Sequence, residues 1–215
     1  MNLKSKRNKV LHLFLLTVLI TQFSYIMKAQ IYRTAKEAEG LSVGVTAPAV
    51  NAKDANNKVF SLEAALKEGP VIMIFYRGFW CPVCNKHLGQ IQDSLKMIEE
   101  KGATVIAVSP EKPEYLGIMA EKSGAEFTLL YDDGYKIADA YDVTFKPSTS
   151  TLSMYNTALG AKLKETHSDD SQRLPIPATY IIGTDGKIVW RQFDPDYKKR
   201  STVKDILDFL SGYDF

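Results

Sequence analysis

The sequence predicts an α/β fold, a central mixed sheet of about five strands flanked by helices on both faces. Three observations carry this reading. "VIMIF" (71–75) is an unbroken apolar and β-branched run, as expected of a central strand buried on both sides. "TVIAV" (104–108) and "FTLLY" (127–131) repeat that signature with helical segments between them. Right-handed crossovers then give a parallel sheet centre. "ATYII" (178–182), "GTDG" and "KIVWRQF" (187–193) form a hairpin with a glycine-containing turn, which adds antiparallel strands.

The first residues differ in kind from the rest. "MNLKSKRNK" carries four positive charges and no acid, and "VLHLFLLTVLI" follows with the length of a signal-peptide core. Residues 1–29 are therefore expected to be a signal peptide cleaved after Ala29, leaving 30–215 as a single exported domain, with the periplasm as the expected location. The competing reading is an uncleaved anchor. Against it stand His12 and an apolar run shorter than the roughly 20 residues of a stable span.

The chain of 215 residues is 45% hydrophobic and 24% charged, enough for one well-packed domain. Its formal charge is +2, but the leader holds five basic residues and no acid. The remainder has 22 basic against 25 acidic residues, which points away from nucleic acid.

The stretch 31–69 reads as an approach segment with a short hairpin or loop and one helical turn. After "VIMIF", Cys84, Leu88, Ile91, Leu95 and Ile98 recur at spacings of four and three, an amphipathic helix ended by Gly102. A second helix begins near Pro113, and "GYKIADAYDV" gives a short third. Residues 144–176 are ambiguous: Leu152, Tyr155, Leu159 and Leu163 have helical spacing, whereas "KETHSDDSQRL" reads as loop. Thr202 can cap a last helix whose Val203, Ile206, Leu207 and Leu210 face inward.

"YRGFWCPVCNKH" (76–87) holds both cysteines of the chain. A pair two residues apart closes a tiny loop and removes little unfolded-chain entropy, so it is a poor staple. Pro82 fits the first helical position, which puts Cys81 at the N-cap and Cys84 on the buried stripe. The helix mouth favours an anion, and thiolates so placed have pKa values lowered to roughly 3.5–7.5. Cys81 is thus the expected nucleophile and Cys84 its buried resolving partner.

Phe79 and Trp80 are expected to form an apolar collar, with Trp80 otherwise only covering the core. Arg77 either adds positive charge near the sulfurs or is a solvated loop residue. Zinc would need Cys81, Cys84, His87 and His167 together; the second half of a ligand framework is missing, so no metal is expected. His87 is read as an exposed helix residue and His167 as a loop residue.

A strand, Trp-Cys-x-x-Cys opening a helix, and a proline before a late hairpin strand resemble the thioredoxin superfamily. More narrowly, "FYRGFWCPVC" with "PIPATYIIGTDGKI" resembles the peroxiredoxin-like branch of the alkyl hydroperoxide reductase/thiol-specific antioxidant family. The resemblance implies a thioredoxin-like fold and a redox-active cysteine that reduces hydroperoxides or disulfides. It also implies Cys81 attacking, Cys84 resolving, and a cis-proline at Pro177 beside the pair; the residue-level alternative is a trans proline at a strand start.

The sequence departs from the peroxiredoxin pattern Pro-x-x-x-Thr/Ser-x-x-Cys. Counting from Cys81 puts Gly78 and Ile74 at the hydroxyl and proline positions, and Pro177 stands where the peroxide-site arginine belongs. Phe75 replaces the buried acid of thioredoxin. The expectation is a thiol-dependent antioxidant oxidoreductase that uses an external thiol donor and neither metal nor flavin. A thiol peroxidase comes first, a protein thiol-disulfide reductase second, and a zinc-binding or non-catalytic module last.

Overall fold

The computed structural model describes residues 33–215 and, before them, His12 alone. The rest of the expected leader lies outside the described residues. Among those described, no helix is long and apolar enough to cross a membrane.

The sheet has seven strands rather than five. Strands β1 (Asn51–Asp54) and β2 (Val59–Ser61) form a hairpin on one edge, followed by β5 (Thr128–Tyr131), β4 (Thr104–Ser109), β3 (Val71–Phe75), β8 (Ala178–Ile182) and β9 (Ile188–Phe193). β3, β4 and β5 are parallel, while β8 is antiparallel to β3 and β9 to β8. The extra pair comes from the approach segment, where β1 runs antiparallel to β5. Its strands are only four and three residues long, and β1 is largely polar, so they lack the apolar run that marks the centre. A separate two-stranded ribbon joins β6 (Thr144–Phe145) to β7 (Leu174–Pro175).

β3 is wholly buried, and its period of two divides it between two cores. Ile72 and Ile74 face a cluster with Cys84, Leu88, Ile91, Leu116 and Ile206. Val71, Met73 and Phe75 face the other side, against Leu130, Tyr141 and Tyr180. Burying Leu88 and Ile91 stabilises the helix–sheet contact by roughly 1.5–3 kcal/mol each.

The amphipathic segment after the cysteines is two helices, α2 (Pro82–Asp93) and α3 (Leu95–Glu99), after the short α1 (Leu62–Ala65). Ser94 leaves helical geometry between them, at φ −115° and ψ 7°, yet the buried stripe continues through Leu95 and Ile98. Helix α4 (Pro113–Ser123) starts at its proline, and α5 (Lys136–Ala140) follows Asp132. The Asp132 carboxylate accepts from Ile137 N and Ala138 N, at 2.8 and 2.9 Å. Helix α8 (Val203–Gly212) carries the expected Thr202 cap as a capping box with Asp205. Ile206 and Leu210 are buried, and Val203 and Leu207 partly so.

Residues 144–176 contain more structure than expected. Helix α6 (Thr149–Thr157) and helix α7 (Leu163–Thr166) bury Leu152, Tyr155 and Leu163. Leu159 falls after the end of α6 and is exposed, contrary to its place in the apolar spacing. His167 corrects the loop reading: it is fully buried, with Nδ1 2.8 Å from Tyr135 Oη. The bridge of Glu111 with His167 ties this segment to the end of β4.

Candidate active site

β3 delivers the chain to the site, and Gly78 turns it at φ +152°. A Cβ at Gly78 would lie 2.4 Å from Glu111 Oε1 and 2.5 Å from Trp80 Nε1, so the close approach of both side chains requires glycine. Cys81 is the N-cap of α2, with φ −91° and ψ 105°, and Pro82 occupies the first helical turn. Cys81 Sγ accepts from Cys84 N at 3.4 Å, and Cys84 Sγ lies 2.7 Å from Cys81 Sγ. Both cysteines are free thiols. Their separation is short enough for a disulfide to form with a small side-chain movement.

Cys81 is no surface thiol although it stands at the helix mouth: both cysteines have zero exposure. The reason is the collar. Trp80 is 4% exposed, and its ring centroid lies 5.0 Å from that of Tyr155 on α6. Trp80 therefore packs into the same buried cluster as both sulfurs. Phe79 stacks on Tyr115 at 5.5 Å, and Asn85 Nδ2 donates to Phe79 O.

Of the two expectations for Arg77, the structure shows charge beside the sulfurs: the side chain is buried rather than solvated. Its Nη2 donates to Cys81 Sγ at 3.0 Å and its Nη1 to Tyr155 Oη at 2.9 Å. The guanidinium carbon lies 5.2 Å from the ring centroids of Trp80 and Tyr155 and 4.0 Å from that of Tyr197. Planar delocalised charge on three aromatic faces explains how arginine tolerates this burial. A second guanidinium approaches from the other side: Arg200 Nη2 is 3.5 Å from Cys84 Sγ, with Nε held by Tyr197 O at 2.7 Å.

The two sulfurs titrate as a unit. At 2.7 Å both cannot be ionised, so one proton leaves well below the usual thiol range and the second well above it. Cys84 is held low against burial by its bond with Cys81 and by the charges of Arg200 and Arg77. Cys81 is pushed up by its bond with Cys84, then by burial and the neighbouring charge, against Arg77. The simple expectation of a low Cys81 and an ordinary Cys84 is thus replaced by a shared proton. The anion rests on Cys84, and Cys81 becomes the thiolate when its proton passes to Cys84.

Glu111 went unnoticed in the sequence. It follows β4, is fully buried, and accepts from Phe79 N with both carboxylate oxygens, at 2.9 and 3.0 Å. Burial pushes its carboxyl well above the usual range, and the Cys84 charge adds to that. A buried acid thus stands near the pair, from the residues that follow β4 rather than from position 75. A glutamate between Pro110 and Pro113, directly after a buried strand, was the available signal. Tyr155 and Arg200 left only a stripe position and a member of a basic run.

His87 is buried, not exposed. Its Nε2 is 3.1 Å from Ser201 O and so carries the ring proton, because a carbonyl can only accept. Burial and then the Arg200 charge lower its pKa to about 4. Among the described residues no group of three His, Cys, Asp or Glu side chains is placed to hold a metal. His87 and His167 are instead engaged with Ser201 and Tyr135. Pro177 sits just before β8, beside the end of β3, but no peptide bond among the described residues is cis. The cis form that the resemblance implies gives way to trans, the ordinary preference of an X–Pro bond by about 0.5–1 kcal/mol.

The AhpC/TSA family profile matches residues 43–191. The chain is 32% identical over 164 residues to chloroplastic peroxiredoxin Q of Sedum lineare, covering 75% of each chain. It is 23% identical to the thiol-disulfide oxidoreductase ResA of Bacillus subtilis, covering 87% of this chain and 86% of that one. Among solved structures, peroxidoxin BcpB of Mycobacterium tuberculosis superposes with a TM-score of 0.63 at 20% identity. That match covers 81% of this chain and 99% of the other, and it shows the fold alone.

Proposed function

The chain belongs to the AhpC/TSA family of thiol-dependent peroxidases and oxidoreductases, and from that premise we propose that it is an exported peroxidase working through a Cys81–Cys84 dithiol/disulfide cycle. The observation that carries this is the pair of sulfurs 2.7 Å apart with the Arg77 guanidinium 3.0 Å from Cys81. Arg77 supplies beside the sulfur the positive donor that motif counting assigns to no residue.

In the cycle, Cys81 thiolate attacks the terminal peroxide oxygen, breaking the O–O bond and releasing water or an alcohol. Cys84 then attacks the sulfur of the resulting sulfenic acid, breaking its S–O bond, closing the disulfide and releasing the oxygen as water. An external thiol donor then restores both cysteines. Because both sulfurs are fully buried, entry requires the collar of Phe79 and Trp80 to open.

Reduction of protein disulfides is the second reading, favoured by the similarity to ResA along most of both chains. The leader supports export, with cleavage after Ala29, 30–215 as one domain and the periplasm as location. Peroxide consumption and insulin reduction measured side by side on the protein separate the two activities. Fast peroxide turnover with slow insulin reduction supports the peroxidase; the reverse ratio overturns it in favour of the reductase.

A further inference from the structure

One face of α2 is turned toward the segment 198–204, and between them lies a groove of about 890 Å³ that starts at Pro82 and Val83, next to the redox pair. Lys86, Lys198, Arg200 and Lys204 line it, against a single carboxylate, Asp93. Lys204 is paired with Asp208, but among the described residues no carboxylate pairs with Lys86, Lys198 or Arg200. Arg200 also has a buried Nη1 without a hydrogen-bond partner, while its Nη2 reaches Cys84 Sγ. The groove thus has the size of a small-molecule site, an excess of cationic side chains, and a guanidinium joining it to a sulfur.

We propose that this groove binds the reductant, a low-molecular-weight thiol carrying carboxylates, with its sulfur at the Pro82 end and its carboxylates on Lys86, Lys198 and Arg200. The proposal rests on the dithiol/disulfide cycle above. The donor thiolate attacks Cys81 Sγ of the oxidised pair, breaking the Cys81–Cys84 bond and expelling Cys84 as a thiolate beside Arg200. A second donor thiolate attacks the donor sulfur of the mixed disulfide, releasing Cys81 as a thiolate beside Arg77. Two thiols are oxidised to one donor disulfide, and the protein gains two electrons. The two protons lost by the donors go to the cysteines or to solvent. Attack falls on Cys81 because it is the sulfur adjacent to Pro82, where the groove begins, whereas Cys84 lies on the buried stripe.

The test is single-turnover reduction of the oxidised full chain by mercaptosuccinate, 2-mercaptoethanol, cysteamine and dithiothreitol, with rates normalised to thiolate concentration. Mercaptosuccinate is expected to exceed 2-mercaptoethanol by at least about tenfold at low ionic strength, with cysteamine slowest, and salt should narrow the spread. The Lys86→Gln/Lys198→Gln variant should lose most of the mercaptosuccinate advantage, while its dithiothreitol rate falls no more than its 2-mercaptoethanol rate. Equal rates across the charge series, or an anion advantage that survives in the variant, would overturn the groove. Failure of dithiothreitol to regenerate two thiols would instead overturn the underlying redox cycle.

Discussion

Arg77 Nη2 donates to Cys81 Sγ at 3.0 Å from only four residues away, so one turn of chain carries both the sulfur and its counter-charge. Charge-assisted bonds of this kind are worth about 1.5–3 kcal/mol. Replacing Arg77 with Met removes the charge while filling similar volume. It should raise the first thiol ionisation and slow reaction at neutral pH by about 10–100-fold. Arg77→Lys should fall between, because ammonium keeps the charge but loses the fork that holds both Cys81 and Tyr155. Thiolate absorbance followed against pH, together with peroxide consumption, checks both variants.

Glu111 shares the buried space beneath the pair, and its raised carboxyl stays protonated beyond the range where an exposed glutamate ionises. The stability this protonation supplies is full below the unfolded value near 4.5 and is lost as pH rises through the folded value. Glu111→Gln removes the ionisation, so relative to the native chain it should be at least as stable at pH 8 by urea unfolding. The pH profile of disulfide closure should lose one inflection, with the rate falling about tenfold. Gly78→Ala supplies a second probe. Its Cβ would collide with Glu111 Oε1, so it should lower stability by at least ~1–3 kcal/mol and disturb the same inflection.

What the sequence revealed follows from range. β3, β4, β5 and the β8–β9 hairpin were legible because each announces itself over four to six residues. The N-cap role of Cys81 and the burial of Cys84 follow from Pro82 and the 84-88-91 stripe, which are equally local. Glu111, Tyr155 and Arg200 were not legible as site residues, because they come from 30, 74 and 119 positions beyond Cys81, and only sheet order brings them together. The burial of Arg77, His87 and His167 is hidden from the sequence for a related reason. Polar side chains are normally exposed, and the partners that permit their burial lie far along the chain.

His87 and His167 make stability sensitive to acid. Their folded pKa values are depressed to about 4 and about 3, both mainly by burial. Their contribution is complete above the unfolded value near 6.5 and is lost as pH falls toward the folded values. Each histidine adds a slope of up to about 1.4 kcal/mol per pH unit. Asp132 acts in the opposite sense, since burial raises it to about 6 and stability is gained as pH falls from there toward 3.8. Single variants separate these effects. His87→Gln keeps a donor for Ser201 O and should flatten the urea-unfolding free energy between pH 6.5 and 4 by close to one histidine's share. An unchanged slope would mean that His87 is not held neutral.

The order of attack is tested by serine at each sulfur. Cys81 carries the helix-terminal N–H of Cys84 and Arg77, whereas Cys84 lies on the buried stripe with Arg200 behind it. With a shared proton, either sulfur can hold the anion, so geometry decides which one meets substrate. Cys81→Ser should therefore abolish turnover. Cys84→Ser should complete the first step and stop, because a serine hydroxyl cannot displace water from a sulfenic acid to close a disulfide. Mass spectrometry after one equivalent of peroxide should then find one added oxygen on Cys81 in the Cys84→Ser protein, and an intramolecular disulfide in the native chain. If Cys84 became oxidised in the Cys81→Ser protein at the native rate, the roles of the two sulfurs would be reversed and Arg200 would take the place assigned to Arg77.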